Sequence, residues 1–430
     1  MNARAEIIAS QLLTPEQETL LHELELKIAL TVEGISFDPA ELKTLPIGSQ
    51  YAEQVHLLFD FDKEHHDGFE LPAGFHLPHG LFSAFRWDPD SRYRLRVEEG
   101  GRTVIYKGEQ RLAQIQLYAR PHLLDFVTSD GEHFDHIGAF TPEGGVNICF
   151  SNECDLKNSG EDCKYCNINS TADAYRSQNI FLKSPRQVAE VYSTAFNEGW
   201  ANHINLTGGF IPERREVDYY LDIADEIRER TGQETIHGTA VIGAPHDLEI
   251  ISKYKEAGYT SISINIEIWD RHIFKAICPG KEKRCGGRDH WVKALEYAAT
   301  LFGKGNVRSN IVAGIESKDS ILEGVDYLAS KGVICYAGAW VPNPGSALEG
   351  HRSPEPSWHY DLTLKVAAIY RKHGYTTAQL YHTFGNSTAA HDAFRILSGE
   401  NEGAFLPQWQ HPVLPGSIPR DHGIIYPGRE

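Results

Sequence analysis

From Val146 to Gly374 the sequence alternates apolar, β-branched runs with amphipathic ones, and this restricts the fold more than any other feature. After Gly145-Val146-Asn147-Ile148-Cys149-Phe150, strand signals fall at 203–207, 235–241, 261–268, 307–313, 333–341 and 376–381. Helical runs separate them at 185–198, 216–230, 247–257, 289–302, 319–331 and 358–373. Ser184-Pro185-Arg186-Gln187 is a capping box, and Gly199, Gly258, Gly332 and Gly374 stand where helices should end. Strands joined by helices need right-handed crossovers and build a parallel sheet. The pattern alone admits a barrel or an open doubly wound sheet. In a barrel, ligands gather at the C-terminal ends of the strands.

The loop after the first of these strands carries the most distinctive chemistry. Cys154, Cys163 and Cys166 lie there, with eight residues between the first pair and two between the second. Gly160 and its polar neighbours exclude a buried strand or a regular helix, so the thiols are held outward. A closed zinc site wants four Cys or His ligands, and Cys149, inside a strand, is a poor fourth. Three thiolates would leave one iron of a 4Fe–4S cluster open to a further ligand. Unligated thiols are the third reading.

Composition narrows the setting. With 59 acidic and 41 basic residues the formal charge is −18, which disfavours non-specific binding to nucleic acid or an anionic membrane. No run reaches the length of a membrane span, and Met1-Asn2-Ala3-Arg4-Ala5-Glu6 lacks the apolar core of a signal peptide. Seven cysteines, three crowded in one loop, suit a reducing cytosol better than a disulfide framework. The expectation is a cytoplasmic enzyme with a small-molecule substrate, without membrane or nucleic-acid partners and of open oligomeric state.

Residues 1–140 read as an α+β extension. Thr14-Pro15-Glu16-Gln17 opens a helix whose Leu20, Leu21, Leu24 and Ile28 share a face. The stretch from Phe59 to Trp87 holds His65, His66, His76 and His79, read as surface-loop histidines rather than a metal site. Tyr93, Leu95 and Val97, a turn at 98–101 and Val104-Ile105-Tyr106 form a hairpin, with 114–118 as a third strand. Residues 141–397 form the main domain, and the Gly- and Pro-rich 398–430 a tail that wraps the surface.

Along the fourth strand, Ser263, Asn265 and Glu267 alternate onto one face. Buried without partners they would cost several kcal/mol, so they need a polar ligand or water.

Ser151-Asn152-Glu153-Cys154 with Cys163-Lys164-Tyr165-Cys166 resembles the cluster loop of the radical S-adenosylmethionine (SAM) superfamily. Members often carry Asn-x-Cys after the first barrel strand and Cys-x-aromatic-Cys at the loop's end. The commonest spacing of the first two cysteines is three residues, against eight in this chain. Thr207-Gly208-Gly209 is similar to the family's Gly-Gly-Glu motif, with Phe210 in place of the acid. Asn265-Ile266-Glu267 resembles a ribose-binding element of lipoyl synthase-like proteins. The run through Ser309 and Asn310 to Glu316, and Trp340 to Leu348 with Pro344, resemble segments of biotin synthase-like enzymes.

The resemblance implies a partial (β/α)6 parallel barrel with an N-terminal α+β extension. It implies a 4Fe–4S cluster on Cys154, Cys163 and Cys166, and SAM held by Tyr165, Thr207, Gly208, Gly209, Asn265, Glu267, Ser309, Asn310 and Pro344. The implied reaction is reductive cleavage of SAM to a 5′-deoxyadenosyl radical that abstracts hydrogen, with electrons from a flavodoxin or ferredoxin. No residue is assigned as catalytic. Cys278, Cys285 and Cys335 invite comparison with the auxiliary cluster of sulfur-inserting relatives; the expectation is instead a glycine-rich loop, 278–288, closing over substrate. Phe210 leaves a second class open, a zinc- or cluster-stabilised binding protein on a degenerate barrel.

Overall fold

Thr14 starts the first helix as its sequence requires. Its hydroxyl accepts from the Gln17 amide at 3.2 Å, and the Gln17 side chain accepts from the Thr14 amide at 2.9 Å. The computed structural model describes residues 13–54, 70–168, 182–201, 203–382 and 388–400. Helix α1 (Pro15–Glu33) buries Leu20, Leu21, Leu24 and Ile28. After β1 (Ser36–Phe37) and the single turn α2 (Pro39–Leu42) come β2 (Gly74–His76), β3 (Phe82–Ala84), β4 (Tyr93–Glu98), β5 (Arg102–Lys107) and β6 (Gln110–Leu117). They form a six-stranded sheet in the order β1-β4-β5-β6-β2-β3.

This sheet corrects the reading of 59–87 as a loop of surface histidines. His76 lies in β2, is 3% exposed and packs against the Phe82 ring at 5.2 Å. Burial pushes its imidazole down to about 4, keeping it neutral. His65 and His66 lie outside the described residues, as does the tail from 401 onward.

The second sheet has seven strands in the order β13-β12-β11-β10-β9-β8-β7. Its members are β7 (Ala139–Phe140), β8 (Gly145–Ser151), β9 (His203–Gly208), β10 (Ile236–Ile242), β11 (Tyr259–Ile264), β12 (Val307–Ala313) and β13 (Val333–Ala339). Every neighbouring pair from β8 to β13 is parallel, and only β7 runs antiparallel. The single turn α3 (Asp155–Asn158) follows β8, and α4 (Pro185–Asn197) leads to β9. Then α5 (Glu213–Thr231), α6 (Ile251–Glu256), α7 (Arg271–Ile277), α8 (Pro279–Arg284), α9 (Gly287–Phe302) and α10 (Lys318–Ser330) connect the later strands. The result is a mixed α/β fold consistent with a partial barrel. Helices α11 (Pro356–Lys372), α12 (Thr377–His382) and α13 (Ala389–Ser398) follow β13.

Segment 376–381, expected as a strand, is helix α12. The Thr376 amide donates to the Gln379 side chain at 3.0 Å and the Gln379 amide to the Thr376 hydroxyl at 3.3 Å, a capping box that outweighs the local β propensity. Helix α13 folds back on α1. Lys27 Nζ meets Asp392 Oδ2 at 2.7 Å, and Gln17 Nε2 donates to the Ile396 carbonyl at 2.8 Å. Arg395, fully buried, lies 3.6 Å from the same aspartate.

Register separates the parallel sheet into two unlike faces. Ile148, Leu206, Ala240, Ile262, Val307 and Val333 are aligned across it and fully buried. The other face aligns Asn147, Asn205, Thr239 and Ser261, followed by Ser263 and Arg308.

Candidate active site

The cysteine loop leaves the C-terminal end of β8 and is clamped by three segments. The Asp155 amide donates to the Phe210 carbonyl at 2.8 Å, and the Gly209 amide to the Ser151 carbonyl at 2.8 Å. The Lys164 amide reaches the Ile277 carbonyl at 2.9 Å, and the Leu348 amide reaches the Lys164 carbonyl at 3.1 Å. At 2.9 Å the Gly280 amide caps the carbonyl of Glu161. Contrary to the expectation of a wholly irregular loop, Cys154 opens the single turn α3, and Gly160 at φ +73° then reverses the chain. Gly209 serves this loop directly: a Cβ there would stand 2.0 Å from the Glu153 carbonyl oxygen. Phe210, which displaces the family's acid, contributes through its backbone.

The strand carrying Asn265 and Glu267 is shorter than alternation predicts. β11 ends at Ile264, and Glu267 has φ +70°, the one positive φ at a non-glycine among the described residues. That backbone is held from both sides, by the Glu267 amide on the Asn310 carbonyl and the Val312 amide on the Glu267 carbonyl, each 2.8 Å. Ser309 also holds this turn rather than facing a ligand. Its hydroxyl donates to the Ile264 carbonyl at 2.9 Å and accepts from the Ile266 amide at 3.0 Å, which commits it to backbone. Glu316 secures the start of the next segment, accepting from the Trp269 and Asp270 amides at 2.7 and 2.8 Å.

Around Glu267 the side chains converge. Asn310 Nδ2 donates to its Oε2 at 3.3 Å, and Lys281 Nζ lies 3.3 Å from its Oε1 and 2.9 Å from the Asn265 carbonyl. The Tyr165 phenol stands near enough to act on the ionisation of both Glu267 and Cys163. Burial raises the Glu267 carboxyl, while Lys281, Tyr165 and Asn310 pull it back toward ionisation. Lys281 stands 4.1 Å above the Trp291 ring; burial opposes its charge, but Glu267, Cys163 and Cys278 together outweigh burial and raise its ammonium further. Nothing in sequence spacing marks Lys281: it sits in the segment 278–288 expected as a glycine-rich loop, which is instead α8 followed by the start of α9.

Cys278 is fully buried, and its thiol lies beside that of Cys163. That neighbour lowers the Cys163 thiol, whereas burial raises Cys278. Burial also pushes Cys166 up to about 12, reinforced by Cys163 and Cys154 nearby. Cys149 points elsewhere, its thiol donating to Asn152 Oδ1 at 2.7 Å. Cys285 and Cys335 are buried. Thr207 and Gly208 end β9 half-buried beside Cys149 and Ser151, and Pro344 lies half-buried in the turn that delivers Leu348 to the cysteine loop.

Among the described residues no three His, Cys, Asp or Glu side chains are closed around one point as a metal site. The donor chemistry nonetheless suits an iron–sulfur group. Three soft thiols leave one clamped loop, partly exposed, close enough that Cys154 and Cys163 both act on Cys166.

Comparison with known proteins defines the class to which this geometry belongs. The sequence profile of the Radical SAM superfamily matches residues 148–332. This segment is a radical SAM domain, and the protein is a radical SAM enzyme, a family that uses a 4Fe–4S cluster and SAM. Among relatives, the bacteriochlorophyllide c C-7(1)-hydroxylase of Chlorobaculum limnaeum is 28% identical over 313 residues, 68% of this chain and 76% of the relative. The 5-amino-6-(D-ribitylamino)uracil–L-tyrosine 4-hydroxyphenyl transferase of Methanopyrus kandleri is 27% identical over 164 residues, 36% of this chain and 41% of that protein. The crystal structure of methylornithine synthase aligns over 60% of this chain and 71% of its own, with TM-score 0.41 and 16% identity. No helix among the described residues is long and apolar enough to cross a membrane.

Proposed function

We propose that this enzyme cleaves SAM reductively at a 4Fe–4S cluster and uses the resulting 5′-deoxyadenosyl radical to abstract hydrogen from a small molecule held inside a partial (β/α)6 barrel. Residues 141–397 form that barrel, residues 1–140 the extension, and the biotin synthase and lipoyl synthase branch is the nearest in kind. Cys154, Cys163 and Cys166 hold the cluster. Glu267 and Asn310, with Tyr165, Thr207, Gly208, Gly209, Asn265 and Pro344, hold SAM, while Ser309 positions the Glu267 turn. A flavodoxin- or ferredoxin-type protein supplies electrons.

One observation carries the reading: a carboxylate on a positive-φ turn, fixed by Asn310 and Lys281, at the same sheet end as the thiol loop. Strained backbone held this firmly is characteristic of ligand sites. The hydroxylase relative, matched over 76% of its length, favours oxidation of a C–H bond as the reaction subtype.

Anaerobic reconstitution tests the proposal. Wild type should bind iron and sulfide and, with dithionite, convert SAM to 5′-deoxyadenosine and methionine. The Cys154→Ala/Cys163→Ala/Cys166→Ala variant should lose both. Full iron retention in that variant overturns the ligand assignment, and accumulation of S-adenosylhomocysteine overturns the reaction.

A further inference from the structure

Cys278 stands at the joint between α7 and α8, fully buried, with its thiol beside that of Cys163. A buried cysteine is most often a small hydrophobe that fills the core. Three features of this joint point to more than filling.

The first is how the two thiols are brought together. The Lys164 amide donates to the Ile277 carbonyl at 2.9 Å, and the Gly280 amide to the Glu161 carbonyl at 2.9 Å. The first of these bonds joins the peptide unit leaving Cys163 to the peptide unit entering Cys278, so the backbone itself sets the two residues side by side. The second feature is how close the approach is. A Cβ at Gly280 would stand 2.5 Å from the Glu161 carbonyl oxygen and 3.0 Å from Leu156, so any other residue there would push α8 off the loop. Further along α8, Lys283 Nζ meets Glu161 Oε1 at 3.0 Å, and Arg284 reaches Ser159 Oγ at 2.6 Å and Asp155 Oδ2 at 2.5 Å. The third is Lys281, on the same side of the turn as Cys278, which reaches Glu267 and the Asn265 carbonyl. A single turn of chain therefore touches both the thiol loop and the carboxylate.

Between the two sulfurs, chemistry sets the direction of a hydrogen bond. A cysteine that ligates iron does so as a thiolate and has no proton to give. A thiol buried among apolar groups keeps its own. Cys278 can then only be the donor, and the Cys163 sulfur the acceptor. Hydrogen bonds to cluster sulfurs favour the more negative, reduced state and help to set the potential.

We infer that Cys278 is a positioning residue for the cluster: held against Cys163 by the α7–α8 joint, its S–H donates to the Cys163 sulfur and raises the cluster's reduction potential. This rests on the proposed ligation of iron by Cys163.

The test separates a donor from a filler. Cluster-loaded, full-length wild type, Cys278→Ala and Cys278→Ser are compared by iron content and by redox titration followed through the electron paramagnetic resonance of the reduced cluster. All three should hold the same iron. Cys278→Ala, which has no donor, should need a lower potential for half reduction, about a tenfold change in the reduced-to-oxidised ratio at fixed potential, or about 59 mV for one electron. Cys278→Ser, whose hydroxyl restores a donor, should return most of the way to wild type. A wild-type potential in Cys278→Ala, or equal shifts in the two variants, overturns the inference. So does loss of iron in Cys278→Ala, which would make Cys278 a ligand. If Cys278→Ala does not fold, Cys278→Val, which fills the space without a donor, is read in its place. Failure of the radical SAM reading would show separately, as absence of iron or of SAM cleavage in wild type.

Discussion

Gly209 and Glu153 touch so closely that the end of β9 and the cysteine loop behave as one surface: an added Cβ at 209 would lie 2.0 Å from the Glu153 carbonyl oxygen and 2.9 Å from Ile168. The glycine serves the placement of the thiols as much as any approach to a ligand.

Gly209→Ala should therefore displace the loop. Overpacking at a site walled by backbone costs about 1–3 kcal/mol. Thermal unfolding should show the loss, and anaerobic reconstitution should give less iron per chain. Wild-type iron content and Tm would mean that the loop moves aside freely.

Glu267 and Lys281 form an ion pair with each side chain 11% exposed. Removing one partner strands the other, so Lys281→Met should destabilise by about 3–5 kcal/mol in urea titrations. Glu267→Gln/Lys281→Met should recover most of that. Glu267→Ala should also weaken SAM binding by about 1–3 kcal/mol; unchanged affinity by calorimetry removes Glu267 from the SAM site.

Cys149→Ala should leave cluster loading intact, because that thiol is engaged with Asn152 rather than with the loop cysteines. A modest stability loss of about 1 kcal/mol is expected. Loss of a quarter or more of the iron, on the order of one site in four, would make Cys149 a ligand.

Acid should weaken the fold in a defined window. Burial depresses both His76 and His359 to about 4. Below about 6.5 the unfolded chain takes up protons that the folded chain refuses, so stability falls as pH drops from 6.5 toward 4. Glu23, raised by burial to about 7, acts oppositely, its folded form losing ground as pH rises from 4.5 to 7. Glu267 and Glu316, also raised by burial, act with it, but the depressed histidines, joined by His203 and His382, outnumber these carboxyls. Urea midpoints should fall between pH 7 and 5, and His359→Gln should flatten that slope.

Much of this architecture is legible in the sequence alone. Capping boxes at Thr14 and Ser184 set helix starts to the residue, because the signal is local and needs no tertiary partner. The same signal at Thr376 lies beneath a β-rich composition that points to a strand, although Gln379 completes the box. Strict alternation carries the fourth strand past Ile264, because periodicity does not register the turn that Ser309 stabilises from a neighbouring strand. Lys281 is invisible as a site residue, and Cys278 is noticed only as a spare thiol, since their placement depends on short helices folding back over Glu267.

The Lys27–Asp392 pair has a consequence for how the chain can be cut. The first and last described helices are fastened to each other, so the polypeptide closes on itself like a belt whose buckle is buried charge. Deleting the N-terminal third would not release a smaller working enzyme. It would leave Asp392 and Arg395 facing water where a helix used to be, and would strip from α13 one of the helices, beside α11 and α12, against which it packs.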